Sequence, residues 1–76
     1  MISEHDMVVL TESLPQLKLQ AGDVGTVVHV YREGEAYEVE FSTMQGGPPF
    51  ALVTVSAVQV RPIGNRDLFH VRELAA

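Results

Sequence analysis

The most constraining feature of this sequence is a pair of alternating apolar segments joined by a four-residue connection. Residues 25–31 (GTVVHVY) and 36–41 (AYEVEF) flank the sequence REGE. Four-residue connections are common in β-hairpins, and Gly34 can adopt the backbone conformation that such a turn needs. The pattern therefore predicts an antiparallel hairpin in which Tyr31 lies opposite Ala36.

This register sorts the hairpin side chains onto two faces. It places Val28 opposite Val39 and Val27 opposite Glu40. A shift of one residue would bury two glutamates, each at a cost of several kcal/mol, so the register is strongly specified. The predicted core face carries Thr26, Val28, Val30, Tyr37, Val39 and Phe41, and the predicted solvent face carries Val27, His29, Glu38 and Glu40.

Glycine, proline and charged residues divide the rest of the chain into further segments of strand length. No segment shows a sustained helical period, and the twelve valines favour β-structure. We expect a long loop over residues 11–22 that folds Leu14, Leu17 and Leu19 inward, and a 3₁₀ turn over residues 56–58. The strands are predicted at residues 7–10, 25–31, 36–41, 50–55 and 59–61.

These elements predict an all-β fold, an SH3-like five-stranded small barrel over residues 1–62 with a C-terminal extension over residues 63–76. The extension is too apolar to be a free, solvated C-terminal tail. An exposed apolar stretch invites partners, so we expect an extra strand or a dimerisation arm. Its candidate interface residues are Leu68, Phe69, Val71 and Leu74.

Two glycines stand where the long loop enters the second strand. Gly22 and Gly25 are predicted to be structural, because this entry needs either a positive φ angle or a close backbone approach. A phosphate-binding loop would need more glycines, a following helix and usually a lysine. Since a strand follows, the stretch AGDVGTVV does not predict a nucleotide site.

Charge and cysteine content exclude several functions. Ten acidic and five basic residues give a formal net charge of −5, which opposes nucleic-acid binding unless the bases cluster. In the sequence they are dispersed as Lys18, Arg32, Arg61, Arg66 and Arg72. The chain has no cysteine, an acidic start and no apolar run of roughly 18 to 20 residues, so we expect a soluble, cytoplasmic protein outside any membrane.

No catalytic or metal-binding pattern is present. The three histidines, His5, His29 and His70, are far apart in sequence, and His29 is predicted to form a surface pair with Glu38. The serines lack a neighbouring base, and the acidic run is typical of a solvated face. We therefore expect no enzyme activity, no cofactor and no metal. The residues concerned are Ser3, Ser13, Ser42 and Ser56, and Glu33, Glu35, Glu38 and Glu40.

Several segments together resemble the small bacterial proteins of domain-of-unknown-function family 4926. These segments are DMVVL at 6–10, AGDVGTVV at 21–28, YEVEF at 37–41 and VRP at 60–62. The resemblance implies an SH3-like barrel with no assigned activity and no catalytic residues. It also implies a stand-alone bacterial protein, in some settings one suggestive of a toxin and antitoxin pair.

Three functions stay open at this point. The first is a protein-interaction module, an acidic barrel that self-associates through its extension and binds another, basic protein in an antitoxin-like way. The second is a nucleic-acid-binding barrel like the KOW modules, which share the pattern G-x-x-G-T-V; the net charge opposes it. The third is a non-catalytic accessory subunit of an enzyme, which the sequence does not separate from the first.

Overall fold

The computed structural model describes residues 1–74, and over that range the chain forms five β-strands and two short 3₁₀ helices. The all-β fold predicted from the sequence is therefore confirmed. No helix in this range is long and apolar enough to cross a membrane. The elements are β1 (Met7–Leu10), η1 (Pro15–Leu17), β2 (Val24–Tyr31), β3 (Ala36–Phe41), β4 (Ala51–Ser56), η2 (Ala57–Gln59) and β5 (Val60–Pro62).

The five strands form one antiparallel sheet in the order β4-β3-β2-β1-β5. Within residues 1–74 no ladder joins β4 to β5, so this small barrel-like sheet is not closed. The last strand begins one residue later than predicted, because Gln59 belongs to η2. Its side chain accepts a hydrogen bond from the Ser56 N–H at 2.8 Å and thereby caps the 3₁₀ turn.

The hairpin register is as predicted near the turn. Tyr31 lies opposite Ala36 and His29 opposite Glu38. The turn is closed by hydrogen bonds from the N–H groups of residues 34 and 35 to the Tyr31 carbonyl, at 3.0 and 3.2 Å. Gly34 has a φ of +100°, a conformation that glycine adopts without strain.

Beyond His29 the predicted register is wrong. A β-bulge shifts the pairing so that Val27, rather than Val28, lies opposite Val39. Val27 is consequently fully buried, and Val28 is 38% exposed. The prediction had placed Val28 in the core and Val27 on the solvent face, and the structure exchanges them. Because both residues are valines, hydrophobicity did not distinguish the two registers.

The packing of Gly25 gives the physical reason for the bulge. A Cβ atom at Gly25 would lie 2.5 Å from Val39 Cγ1 and 2.9 Å from Phe41 Cε1. The bulge turns this glycine toward the core, where its missing side chain leaves room for the aromatic ring. It also turns Thr26 to the outer face, opposite Glu40, whereas the predicted register would have placed that hydroxyl in the core.

The core lies on the inner face of the curled sheet, and Leu19 from the long loop completes it. Leu14 is half-buried, but Leu17 is 44% exposed, so the prediction that all three loop leucines fold inward is wrong for Leu17. Leu14 and Leu19 form a β-bridge that closes the loop around η1, and Leu17 lies in η1 itself. The buried cluster is Val8, Leu10, Leu19, Val27, Tyr37, Val39, Phe41, Val55 and Val60.

The bulge yields a matched pair of stability predictions. Val27→Ala removes two buried methyl groups and leaves a cavity, so it should lower the free energy of unfolding by about 2–3 kcal/mol. Val28→Ala changes a side chain that contacts solvent and should cost less than about 1 kcal/mol. Urea denaturation of both variants measures the difference, and equal losses would contradict the shifted register.

Candidate interaction surface

The C-terminal segment, residues 63–74, runs over the barrel without regular secondary structure. Two arginine–aspartate pairs hold it. In the first, Arg61 in β5 donates two hydrogen bonds to Asp67, at 3.0 and 2.9 Å. Asp67 also accepts the N–H of Gly64 at 2.7 Å, which fixes the turn that leads into the segment. This pair is largely exposed to solvent.

The second pair lies deeper and joins the segment to the long loop. Asp23 is only 9% exposed and accepts two hydrogen bonds from Arg72, at 2.8 Å from Nε and 2.6 Å from Nη2. The same guanidinium donates to the carbonyl of Lys18 at 3.0 Å. Such two-point contacts fix the geometry of both groups. The segment is therefore held at this end by one buried carboxylate.

A tight turn positions the Asp23 carboxylate. The Asp23 N–H donates to the Gln20 carbonyl at 3.0 Å, and the carboxylate in return accepts the Gln20 N–H at 2.8 Å. Gly22, inside this turn, has a φ of +97°. Its missing side chain also makes room for His70, since a Cβ atom there would lie 3.3 Å from the His70 ring. The His70 Nε2 atom is 3.3 Å from Asp23 Oδ1.

Both aspartates are held in the ionised form. Burial raises the pKa of Asp23, but the hydrogen bonds from Arg72 and from the Gln20 N–H, with the positive charge of Arg72, outweigh that effect and bring the pKa below its ordinary value of 3.8. Hydrogen bonds from Arg61 and Gly64 lower the pKa of Asp67 to about 2. At neutral pH both pairs are consequently ionic.

From residue 69 to residue 74 the side chains of the segment alternate between outward and inward directions. His70 and Arg72 face the barrel, whereas Phe69 and Val71 are 82% and 90% exposed. Leu68 is 95% exposed as well. No backbone hydrogen bond between described residues involves residues 68–74. The segment thus presents an apolar, extended stretch to solvent, while the side chains of Asp67, His70 and Arg72 contact the protein itself.

The predicted extension can now be compared with the structure. Of its four candidate interface residues, Leu68, Phe69 and Val71 are exposed, and Leu74 is half-buried. Residues 63–74 form no additional strand. Residues 75 and 76, which the prediction included in the extension, lie outside the described residues.

A shallow groove of about 610 Å³ lies between the segment and the long loop. Its one serine is already engaged, since the Ser13 hydroxyl accepts the Ala21 N–H at 3.0 Å. A second depression of about 490 Å³ lies beside the N-terminus. The groove is lined by Ser13, Pro15, Lys18, Leu19, Gln20, Phe50, Arg72 and Leu74.

The outer face of the hairpin carries a polar cluster. The Tyr31 hydroxyl donates to Glu38 at 2.5 Å, and this bond raises the pKa of Tyr31. The His29 ring packs edge-on against Tyr31 at 4.4 Å, and its Nδ1 atom is 3.8 Å from Glu4. His29 therefore lies opposite Glu38 as predicted, but its nearest carboxylate is that of Glu4.

Neither this cluster nor the Asp23 turn forms a metal centre. Among residues 1–74 no group of three histidine, aspartate or glutamate side chains could hold a metal ion. Of the three histidines, His29 lies on the hairpin and His70 on the segment. Arg61 and Arg72, two of the five dispersed bases, are occupied by carboxylates.

Sequence reasoning missed the residues that anchor the segment. In the sequence, Asp23 is recognisable only as part of a glycine-containing strand entry, and Arg72 only as an isolated base. One signal was available, because Asp23 is an acid between Gly22 and Val24, the first residue of β2. A buried acid at such a position requires hydrogen-bond donors or a cation. The sequence did not indicate that Arg72, 49 positions away, supplies them.

Comparison with known proteins places this barrel in a family. The family model described as a domain of unknown function (DUF4926) matches residues 4–62. The chain belongs to the DUF4926 family. No curated protein and no solved structure shows significant similarity to it. The DUF4926 match includes Asp23 and Arg61 but ends before Asp67 and Arg72, so both ion pairs connect the family domain to residues beyond the match.

Removing the deeper anchor should release the segment from the DUF4926 domain. In Arg72→Gln the buried Asp23 carboxylate loses its cation, so we expect its pKa to rise from its lowered value and residues 63–74 to become sensitive to protease. Carboxyl-carbon NMR titration and limited proteolysis measure these effects. Arg66→Gln is the matched control, because Arg66 is exposed and pairs with no acid among the described residues. Equal behaviour of the two variants would contradict the anchor.

The exposed pair gives a prediction with a definite pH window. Because the folded pKa of Asp67, about 2, lies below the ordinary 3.8, its contact with Arg61 contributes stability above pH 3.8 and loses it as the pH falls toward 2. NMR titration should place the Asp67 midpoint near 2 in the intact chain. In Arg61→Gln it should move toward 3.8, and an unchanged midpoint would show that Arg61 does not hold the carboxylate.

Proposed function

We propose that this DUF4926 protein is a protein-interaction module that presents residues 68–71 as an extended ligand to another protein. The observation that carries the proposal is the exposure of Phe69 and Val71, 82% and 90%, on a segment fixed at both ends by ion pairs. An unanchored tail could fold these side chains away from water. Here the anchors hold them outward.

The geometry suits a partner with two apolar pockets and a free strand edge. Alternate side chains of an extended segment point the same way and lie about 7 Å apart, so Phe69 and Val71 can enter neighbouring pockets. The backbone groups of residues 68–74 are unpaired within the described residues and can bond to an edge strand. Because the ion pairs already order the segment, binding loses less conformational entropy.

The net charge of the chain favours a basic protein as the partner. The formal net charge of −5 attracts basic proteins at long range and raises their association rate. An antitoxin-like protein and an accessory subunit of an enzyme both act by such binding, and the identity of the partner distinguishes the two roles. Nucleic acid is disfavoured, because the net charge is negative and Arg61 and Arg72 already contact carboxylates.

Site-specific photo-crosslinking in the native cell tests the proposal. A photoreactive phenylalanine analogue at position 69 should yield one dominant crosslinked protein that is basic and insensitive to nuclease. The same analogue at position 58 is the control, because Val58 is 80% exposed but lies on η2, outside the segment. Arg72→Gln should weaken the crosslink at position 69.

Two outcomes would contradict the proposed function. One is an identical set of crosslinked products from positions 69 and 58, which would show that capture depends only on exposure. The other is a nuclease-sensitive product, accompanied by saturable micromolar binding of RNA that weakens with salt. That result would favour the nucleic-acid-binding alternative.

A further inference from the structure

Strand β4 forms an open edge of the sheet. It pairs with β3 on one side, and no other strand within residues 1–74 pairs with it on the other. The opposite edge, β5, is blunted, because it has only three residues and contains Arg61 and Pro62. Short length, charge and proline are the usual protections of an edge strand. Strand β4 has none of these protections, since it is six residues long and contains no charged residue and no proline.

The direction of the β4 backbone groups follows from one hydrogen bond. The Ala57 N–H donates to the Glu35 carbonyl at 3.0 Å, just beyond the β3–β4 ladder. Bonded pairs recur every second residue in an antiparallel ladder, so the residues of β4 that bond to β3 are 51, 53 and 55. The N–H and C=O groups of Leu52 and Thr54 and the C=O group of Ser56 therefore point away from the sheet, whereas the Ser56 N–H is already bonded to the Gln59 side chain at 2.8 Å. All three side chains are exposed.

The same edge lies in a part of the chain without charge. Residues 42–60 contain no acidic or basic side chain, so all fifteen charged residues lie elsewhere. Leu52 is 52% exposed and Phe50 39% exposed, which leaves apolar surface beside the open backbone. A strand edge that is uncharged, partly apolar and six residues long is a template for another strand.

We propose that a second copy of the chain occupies this edge, with the two β4 strands pairing antiparallel about a two-fold axis at Thr54. In this register Thr54 lies opposite Thr54 of the second copy, and Leu52 lies opposite Ser56. It pairs Thr54 with its symmetry mate through both backbone groups and gives the Leu52 N–H the Ser56 carbonyl as its acceptor, and a two-fold axis makes the contact self-complementary. Cross-strand threonine pairs and threonine–serine pairs are favourable in sheets.

The charge distribution supports a second copy over a basic partner. A chain with a net charge of −5 repels itself over most of its surface, but the seam itself is uncharged. The nearest acids, Glu38 and Glu40, are on β3. Across the seam the two β3 strands would lie three strand spacings apart, about 14 Å, beyond the Debye length of about 8 Å at physiological salt. A basic partner would find no carboxylate in the seam.

This surface is separate from residues 68–71, so the inference does not depend on the proposed function. A six-residue strand supplies only about 20 Å of ladder. We therefore expect a weak dimer with a dissociation constant on the order of 100 µM. Because no ion pair crosses the seam, added salt should leave the dimer unchanged or strengthen it.

Cysteine crosslinking of the full chain locates the seam, since the natural sequence has no cysteine. Opposed residues in a bonded antiparallel pair have Cα atoms about 5.5 Å apart, within disulfide range. Under mild oxidation Thr54→Cys should form a covalent dimer at least about tenfold faster than Thr43→Cys, an exposed control in the β3–β4 loop. Equal rates would overturn the proposal.

Sedimentation over a range of protein concentrations supplies the second measurement. Thr54→Glu places two like charges in direct opposition and should raise the dissociation constant at least tenfold, whereas Thr43→Glu makes the same change in net charge away from the seam. Phe69→Ser should leave the dimer intact. NMR spectra that match the wild-type monomer confirm that each variant is folded.

Three results would overturn the inference. The first is a wild-type chain that stays monomeric well above the expected dissociation constant. The second is an equal effect of Thr54→Glu and Thr43→Glu. The third is a dimer that Phe69→Ser abolishes and Thr54→Glu does not, which would place self-association on the C-terminal segment. None of these results bears on the photo-crosslink to another protein at position 69.

Discussion

The close approach of the Phe41 ring to the backbone at Gly25 sets the geometry of this barrel. No side chain larger than hydrogen fits at Gly25, because Val39 and Phe41 fill the space. For the glycine to face the core, β2 must carry an extra residue, and that residue is accommodated in the bulge before His29. The bulge in turn decides that Val27 is buried, so one steric constraint orders the central hairpin.

The two glycines of the AGDVG stretch are required for different physical reasons. Gly25 has an ordinary backbone conformation and is required for close packing, whereas Gly22 has a positive φ and also makes room for His70. Between them, the Asp23 side chain is buried, and its negative charge needs a counter-charge, which Arg72 supplies. The stretch therefore links the strand entry to the C-terminal segment.

Sequence patterns predicted the fold better than they predicted the surface. Strand positions follow from local alternation and from turn residues, so β1 and β3 are found at their predicted bounds. The bulge depends on contacts between Gly25 and Phe41. Because residues 27 and 28 are both valines, the pattern of apolar residues is the same with and without the bulge. The Asp23–Arg72 pair spans 49 positions and leaves no periodic signal. Pairings at such separations follow from the assembled fold alone.

The family match ends between the two partners of the Asp23–Arg72 ion pair. With residues 63–74 in place, Asp23 is only 9% exposed, and burial by itself raises the pKa of its carboxyl group. The hydrogen bond from the Gln20 N–H offsets part of that effect. Within residues 1–74, the cation that contacts the Asp23 carboxylate is Arg72, which lies outside the family match. Apart from Arg72, only a protonated His70 could add positive charge there. The domain therefore supplies the carboxylate and one of its hydrogen-bond donors, and the extension supplies the counter-charge. That complementarity, more than the apolar composition of the extension, explains why Phe69 and Val71 face solvent instead of the barrel.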